Sequence, residues 1–323
     1  MNLADIYMNY KEDIKSVERE LERQVGTNNK TLEKASNHLL KAGGKRIRPV
    51  FVLLSAKFGH YDIEQLKHIA VPLELIHMGS LVHDDVIDDA ELRRGTKTVK
   101  SQWDNRVAMY TGDFIFGRAV ETAAYFENPR IHQIVSHAMV EICLGEIEQI
   151  RDQFNWLQSF QVYLRRIKRK TALLIAISCQ LGALAAKADD RLANELYWFA
   201  YFVGMSYQIT DDILDFVGTE KQLGKPAGGD LWQGNVTLPA LYALQKDTQL
   251  KDDLENFFKQ PSHSKAQFQQ FVERIKQSGG IEYATKISDQ YLKKAFERLE
   301  RLPNIEAKDH LHEIATYIGR RKF

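Results

Sequence analysis

The sequence predicts an all-α protein. Apolar residues recur mostly at helical spacing, and the 323-residue chain contains only 7 prolines. Runs of alternating β-branched residues, which would favour a sheet, are scarce. With 44% hydrophobic residues the chain can bury a large core. We therefore expect one all-α domain, a helical bundle, over residues 1–323.

Glycine and proline positions divide this predicted bundle into about ten helical segments. The breaks are expected at Gly43-Gly44, around Gly59, at Gly95, at Asn128-Pro129, from Gly224 to Gly234, at Gln260-Pro261-Ser262 and at Gly279-Gly280. The uncharged stretch from Thr171 to Ala186 is shorter than the roughly 20 residues that span a bilayer, so we interpret it as a buried core helix. From about Lys246 onward the apolar stripe narrows, which predicts an outer supporting layer.

Composition excludes some classes of function. Lys and Arg total 44 against 43 Asp and Glu, so no bulk charge favours nucleic acid or a membrane surface. Cys143 and Cys179 lie far apart in apolar helical contexts, which is typical of reduced thiols. The first residues also lack the pattern of a signal peptide. We expect a cytoplasmic location.

An acidic pattern occurs twice, at Asp84-Asp85-Val86-Ile87-Asp88 and at Asp211-Asp212-Ile213-Leu214-Asp215. On a helix, the first and last carboxylates of each cluster project from one face. A solvated helix face is the alternative interpretation, but both clusters lie in apolar sequence, where unpaired carboxylates are costly to bury. Mg²⁺ prefers oxygen and usually binds through one or two carboxylates plus phosphate. The repeated pattern therefore indicates diphosphate chemistry.

Basic residues provide a counterpart to these clusters. The segment Gly43-Gly44-Lys45-Arg46-Ile47-Arg48-Pro49 places cations at a glycine-marked helix entrance, where N–H groups and Arg side chains bind anions. A second group, Arg93-Arg94-Gly95, follows the first acidic cluster closely enough to reach the same phosphate. Lys170-Thr171 and Gly224-Lys225-Pro226 add single cations. A solvated basic turn is the alternative for each segment taken alone.

Together these motifs identify a family. The chain resembles the trans-prenyl diphosphate synthases over nearly its whole length, through GGKRIRP (43–49), HMGSLVHDDVIDDAELRRG (77–95), YTGDF (110–114), GEIEQ (145–149), KT (170–171), YQITDDILD (207–215), GKPAGGDL (224–231) and TLPA (237–240). It is most similar to the large catalytic component of the bacterial heptaprenyl or hexaprenyl diphosphate synthases, which work with a small second subunit. The resemblance implies an isoprenoid-synthase-like helical bundle around a deep central cavity. It also implies a dimer, either with itself or with such a partner.

The resemblance also implies roles for individual residues. About three Mg²⁺ ions would be held by Asp84, Asp85, Asp88, Asp211, Asp212 and Asp215. The diphosphate of the allylic substrate, expected to be farnesyl diphosphate, would be held by Arg93, Lys170 and Lys225, and the second substrate, isopentenyl diphosphate, by Lys45, Arg48, His77 and Arg94. Thr171 and Gln208 would border the allylic cation, and the departing diphosphate would serve as the base. The basic ending at Arg320 and Arg321 fits the family pattern only loosely, and a core histidine is the alternative for His77.

Product length is expected to depend on the helix that precedes the first acidic cluster. Gly79 and Ser80, five and four residues before Asp84, are small, whereas short-product members of the family carry bulky aromatic residues there. We therefore expect the floor of the substrate pocket to be open at these two positions. The face of this helix that lines the path of the growing chain reaches roughly 16 Å below the metal site. The expected product has about six to eight isoprene units, with heptaprenyl the leading expectation. Ile76 and Leu73 could narrow the path lower down. Such a product would serve as a quinone side chain, of menaquinone or ubiquinone.

Three other functions compete with prenyl chain elongation. A class I terpene cyclase uses a similar first acidic motif, but it lacks a pocket for a second substrate and usually carries a mixed second motif. A non-catalytic subunit would be expected to lose its acidic motifs, and both are intact here. A calcium-binding structural protein would need ligand loops rather than helical acidic pairs.

Overall fold

Helices make up nearly all the regular structure of residues 3–219 and 227–319, which the computed structural model describes. In chain order they are α1 (Leu3–Asn9), α2 (Lys11–Val25), α3 (Lys30–Lys41), α4 (Ile47–Ala56), α5 (Ile63–Ile87), α6 (Val99–Gln102), α7 (Asn105–Ala123), α8 (Pro129–Asp152), α9 (Phe160–Ile167), a π-helical turn (Lys168–Ala172), α10 (Leu173–Ala185) and α11 (Asp190–Val217). Further helices span Gly229–Trp232, Leu238–Lys246, Thr248–Phe258, Lys265–Gln277, Gly280–Leu299 and Glu306–Gly319. The all-α prediction is confirmed.

The chain forms two compact units. One comprises Met1–Ile142, Leu174–Ala200 and Arg298–Ile314, and the other comprises Cys143–Leu173, Tyr201–Glu297 and Ala315–Phe323. Each unit is described separately below. The single domain predicted for residues 1–323 stays a prediction.

The first unit is built around α5. This 25-residue helix begins at the N-cap Asp62, whose carboxylate accepts a hydrogen bond from the N–H of Glu64 at 3.0 Å. Helices α2, α4 and α7 pack around it, and residues such as Leu73, Leu75 and Val82 expose no surface. Because α5 is apolar along most of its length and surrounded by other helices, it acts as the central helix of this unit.

A short β-hairpin interrupts the helical pattern after α5. Strands Leu92–Arg93 and Thr96–Lys97 pair antiparallel, in the register Leu92 with Lys97 and Arg93 with Thr96. Its two turn residues, Arg94 and Gly95, have φ angles of 53° and 76°. Positive φ at both central residues is what a type I′ hairpin turn requires. The sequence analysis placed a break at Gly95 but did not predict the strands.

The second unit has its own hydrophobic core. Large buried side chains from helices along this unit meet there, among them Trp156, Tyr163, Ile209, Phe216, Leu231, Leu254, Phe257, Phe268 and Ile275. Gly204 on α11 allows close contact with the π-helical turn, since an added Cβ would lie 2.6 Å from the Cα of Ala172. This contact fixes the turn that carries Lys170 and Thr171 against the helix that carries the second acidic cluster.

Most of the predicted breaks coincide with observed ones. Gly43-Gly44 separates α3 from α4, Gly59 separates α4 from α5, and Pro129 begins α8. The segment predicted as a core helix is largely α10, which is buried, although it begins after the π-helical turn. No helix within the described ranges combines the length and apolar character needed to cross a membrane.

Substitution of Gly182 should test the packing of α10 in the first unit. An added Cβ would lie 2.4 Å from the carbonyl oxygen of Val52 on α4, and a backbone atom cannot move aside. Gly182→Ala should therefore lower the free energy of unfolding by about 1–3 kcal/mol in urea titrations. Gly117→Ala is the matched control, because nothing lies within 4 Å of its Cβ position. It should stabilise helix α7 by about 0.5–1 kcal/mol, and equal effects of the two variants would contradict this description of the packing.

Candidate active site

The first acidic cluster lies at the C-terminal end of α5, in the first unit. Asp88 is the residue at which the helix ends, and the next residue, Asp89, has a left-handed φ of 51° that turns the chain away. Asp84 and Asp85 are buried. The Oδ1 atom of Asp84 is inaccessible and has no hydrogen-bond partner. A buried carboxylate oxygen in this state is the kind of group that a cation would stabilise.

Arg93 in the hairpin neutralises the second carboxylate of the cluster. Its Nε and Nη2 atoms lie 2.8 and 2.7 Å from Oδ1 of Asp85. Burial raises the pKa of Asp85, and the guanidinium opposes that shift. Two residues predicted to act on the same diphosphate, one through metal and one directly, are thus in contact.

Arg94 at the tip of the hairpin reaches the glycine segment that precedes α4. Its Nη1 atom donates a hydrogen bond to the carbonyl oxygen of Gly43. A Cβ added to Gly44 would lie 2.6 Å from the same nitrogen, so a side chain at this position would displace Arg94. The hairpin and the loop before α4, which are far apart in sequence, therefore meet where Arg94 contacts Gly43.

His77 lies on α5, two turns before the acidic cluster. The pKa of its imidazole is lowered well below the ordinary value, first by burial and then by Arg48, Arg94, Arg93 and Arg46. The ring is therefore neutral near pH 7, when it can donate one hydrogen bond and accept another. Three other predicted binding residues, Arg48, Arg93 and Arg94, are thus near enough to His77 to act on its charge.

The residues predicted to control product length differ from one another in their surroundings. Gly79 faces α7, where an added Cβ would lie 3.2 Å from the ring of Phe116 and 3.3 Å from the oxygen of Gly112. Leu73 and Ile76 expose no surface, so neither borders a cavity that could admit water. Helix α7 thus packs against α5 at Gly79, and the open floor expected there stays a prediction. Ser80 keeps partial exposure and remains the candidate.

In the second unit, the π-helical turn presents Lys170 and Thr171. Lys170 donates from Nζ to Oε1 of Gln149 at 3.0 Å. Thr171 donates from Oγ1 to Oε1 of Gln208 at 2.6 Å, and Gln208 in turn donates to Oδ1 of Asp212 at 2.9 Å. A π-helical turn widens a helix locally and is frequent at functional sites. Three predicted site residues thus form one hydrogen-bonded chain.

A residue that sequence analysis missed completes this chain. Tyr163 on α9 is fully buried and donates its phenol to Oδ2 of Asp212 at 2.7 Å. Burial raises the pKa of Asp212 to about 7, with Asp230 adding to the shift, while Gln208, Tyr163 and Arg166 oppose it. No signal in the sequence distinguished this tyrosine from other aromatic residues of an amphipathic helix.

Asp215 also has a local hydrogen-bonding role. One of its carboxylate oxygens, Oδ2, accepts a hydrogen bond from the backbone N–H of Asp230 at 3.1 Å, and its carbonyl oxygen accepts from Gly228 at 2.8 Å. These bonds fix the start of the short helix Gly229–Trp232. Asp212 and Asp215 thus each have a hydrogen-bonding role besides the metal binding predicted for them.

Metal binding by the acidic clusters stays a prediction. Over residues 3–219 and 227–319, no three His, Cys, Asp or Glu side chains converge into a ready-made metal site. Asp84, Asp85 and Asp88 belong to the first unit, and Asp211, Asp212 and Asp215 to the second. Three predicted residues, Lys225, Arg320 and Arg321, lie outside the described residues.

Comparison with known proteins agrees with this arrangement of motifs. The model of the polyprenyl synthetase family matches residues 29–275. Over all 323 residues the chain is 56% identical to heptaprenyl diphosphate synthase component 2 of Bacillus subtilis, covering 92% of that protein. It is 55% identical to the protein of the same name from Geobacillus stearothermophilus, with both chains covered in full.

A solved structure supports the same relationship. The crystal structure of heptaprenyl diphosphate synthase from Staphylococcus aureus matches with a TM-score of 0.91 and 42% identity, covering 96% of this chain and 98% of that one. The comparisons favour chain elongation over the terpene-cyclase and non-catalytic alternatives. The chain belongs to the polyprenyl synthetase family and is a chain-elongating trans-prenyltransferase.

Proposed function

We propose that this chain is the catalytic component of a heptaprenyl diphosphate synthase, which adds isopentenyl diphosphate repeatedly to an allylic primer such as farnesyl diphosphate. The observation that carries the proposal is the cluster in the first unit, where Arg94 contacts the loop before α4 while Arg93 contacts Asp85. Cations suited to one diphosphate thus lie beside carboxylates suited to metal. The names of the relatives from Bacillus subtilis and Geobacillus stearothermophilus, 56% and 55% identical over the full chain, support the same choice of product.

In this proposal, isopentenyl diphosphate is bound by Lys45, Arg48, His77 and Arg94. Guanidinium groups hold phosphate oxygens in bidentate fashion, and Lys45 adds an exposed point charge. His77, being neutral, contributes a hydrogen bond rather than a charge. The C–O bond of the allylic substrate breaks and releases its diphosphate, and the double bond of isopentenyl diphosphate attacks the allylic carbon. The departing diphosphate is the proposed base that takes the eliminated proton.

The acidic clusters are proposed to hold Mg²⁺ against the allylic diphosphate. The buried Oδ1 atom of Asp84 fits this role, because its carboxylate lacks a hydrogen bond that would otherwise stabilise it. When bound, the metal would neutralise negative charge that accumulates on the leaving diphosphate. Asp85 and Asp88 are proposed to share this role in the first unit, and Asp211, Asp212 and Asp215 in the second. Arg93, already paired with Asp85, supplies a cation to the same diphosphate.

The hydrogen-bonded chain of the second unit is proposed to stabilise the allylic cation. Thr171 and Gln208 fix each other's oxygen atoms through their 2.6 Å bond, and Asp212 fixes the amide of Gln208. Oxygen dipoles held in place before the reaction stabilise developing positive charge without reorganising. Lys170 and Lys225 are proposed to bind the allylic diphosphate.

A second protein component is proposed as the partner of this chain. The relatives from Bacillus subtilis and Geobacillus stearothermophilus are each named component 2, which implies another component. Helix α8 carries exposed apolar residues at helical spacing, Val140, Leu144 and Ile147, with exposed fractions between 46 and 66%. A stripe of this kind is typical of a surface that a protein partner covers. We propose that the second component covers it.

We also propose that the product serves as a quinone side chain. The cytoplasm remains the proposed location, which the free thiols of Cys143 and Cys179 support.

The proposal is tested by assaying the purified chain, alone and with the second component of a related synthase. Farnesyl diphosphate, labelled isopentenyl diphosphate and Mg²⁺ should give all-trans heptaprenyl diphosphate in at least one of these assays.

Asp84→Asn should lower turnover by about 1,000-fold or more, since it removes a charge required only for the leaving group. Asp89→Asn is the matched control, because Asp89 belongs to the same acidic run but its side chain is 88% exposed. Its turnover should be near normal.

Two results would contradict the proposal. If Asp84→Asn incorporates labelled isopentenyl diphosphate at a near-normal rate, the first cluster does not bind the required metal. If the chain forms a cyclised hydrocarbon without isopentenyl diphosphate, its activity is terpene cyclisation rather than chain elongation.

Product length provides a separate prediction. Ser80→Phe should shorten the product to roughly three or four isoprene units, because an aromatic ring would occupy the proposed path of the growing chain. Gly79→Phe should instead lower the melting temperature, since its ring would displace Phe116 and helix α7. Chromatography of the products and thermal unfolding of both variants distinguish these effects. A stable Gly79→Phe variant with a shortened product would show that the growing chain passes position 79 after all.

A further inference from the structure

We propose that the N-terminal helices α1 and α2 position the loop that binds isopentenyl diphosphate, with Tyr7, Glu18 and Arg46 as positioning residues. The inference rests on the proposed function of Lys45 and Arg48. It concerns residues 3–25, which precede the region matched by the family model at residues 29–275. The family model therefore does not cover these helices, and we consider their contacts on their own.

Arg46 is the residue through which the loop enters the protein interior. It is the N-cap of α4 and has a left-handed backbone, with φ 47° and ψ 36°. This conformation is unfavourable for a residue with a side chain, so other contacts must hold it. Its guanidinium is only 7% exposed, whereas the preceding residue, Lys45, is exposed. The turn at Arg46 thus buries one cation and leaves its neighbour at the protein surface.

Two carboxylates hold the buried guanidinium. Nε of Arg46 donates to Oε1 of Glu18 on α2 at 2.6 Å, and Nη1 donates to Oε1 of Glu74 on α5 at 3.0 Å. A third bond runs from Nη2 to the carbonyl oxygen of Leu40 at 3.3 Å. Since a buried charge is costly without partners, these bonds determine where the loop can lie.

Glu74 connects the same network to His77. It lies one turn before His77 on α5, and its side chain is almost completely buried. The other oxygen of Glu74, Oε2, has no hydrogen-bond partner, so Arg46 provides the ionic contact to this carboxylate. Arg46 therefore connects the loop that carries Lys45 and Arg48 to the helix that carries His77.

Helix α1 makes a second contact with the loop. The hydroxyl of Tyr7 donates a hydrogen bond to the carbonyl oxygen of Lys45. Tyr7 and Glu18 thus hold two consecutive residues of the loop, one through the backbone and one through the side chain. A loop held in its binding conformation loses less entropy when the ligand binds, so these contacts should contribute to affinity for isopentenyl diphosphate.

The test uses Glu18→Gln and Tyr7→Phe in the full-length chain, assayed with the second component if turnover requires it. Glu18 is suited to substitution because its side chain is 36% exposed and Glu74 still pairs with Arg46. Glu18→Gln should raise the KM for isopentenyl diphosphate roughly threefold to tenfold. The KM for farnesyl diphosphate should stay unchanged, and Tyr7→Phe should have a smaller effect in the same direction.

Glu12→Gln is the matched control on the same helix. The carboxylate of Glu12 forms an ion pair with Lys15 at 2.7 Å, and both side chains are exposed. This variant should leave both KM values unchanged. A double variant, Glu18→Gln with Arg46→Lys, should show an effect on the KM for isopentenyl diphosphate that is smaller than the product of the two separate effects, because both substitutions break one contact.

Two outcomes would overturn the inference. The first is an unchanged KM for isopentenyl diphosphate in Glu18→Gln and Tyr7→Phe. The second is an equal rise in both KM values together with a lower melting temperature, which would indicate a purely structural role. If the wild-type chain has no prenyltransferase activity, the proposed function fails instead. Calorimetric titration with isopentenyl diphosphate would then test the positioning role on binding alone. Equal affinities of Glu18→Gln and Glu12→Gln for this ligand would count against the role.

Discussion

Buried carboxylates on helix α5 are the constraint on which the first unit depends. Glu74 and Asp85 are 3% and 2% exposed, and burying such groups is costly unless cations or hydrogen bonds compensate them. Arg46 compensates Glu74, and Arg93 compensates Asp85. To do so, the loop before α4 and the hairpin after α5 must both approach the central helix. The requirement for charge compensation therefore assembles the proposed diphosphate site before any ligand is present.

The two acidic clusters, alike in sequence, are stabilised differently. In the first unit a guanidinium neutralises Asp85, and an oxygen of Asp84 is buried without a hydrogen bond. In the second unit Asp212 accepts hydrogen bonds from Tyr163 and Gln208, which are uncharged. A carboxylate stabilised by neutral donors keeps its geometry whether or not a cation binds. Asp212 thus fixes the side chain of Gln208, in addition to the metal binding predicted for it.

Much of the fold and part of the site could be predicted from the sequence. Helical periodicity and the breaks at Gly43-Gly44 and Pro129 gave the class and several helix ends, because these signals are local. The approach of Arg94 to the loop before α4 followed from the family resemblance. The inward turn of Arg46 could not be predicted, since its left-handed backbone is held by contacts to α2 and α5. The packing of Phe116 beside Gly79 could not be predicted either, because the sequence does not show which side of α5 faces α7.

We expect basic side chains alone to bind isopentenyl diphosphate, whereas the acidic clusters bind the allylic diphosphate only through a cation. Calorimetric titration of the full-length chain with isopentenyl diphosphate, and separately with a non-reactive thio analogue of farnesyl diphosphate, tests it directly. With Mg²⁺ replaced by EDTA, the affinity for isopentenyl diphosphate should be retained, whereas that for the allylic analogue should fall by about 100-fold or more. Equal dependence of both ligands on Mg²⁺, or binding of the analogue that is unaffected by EDTA, would contradict the account.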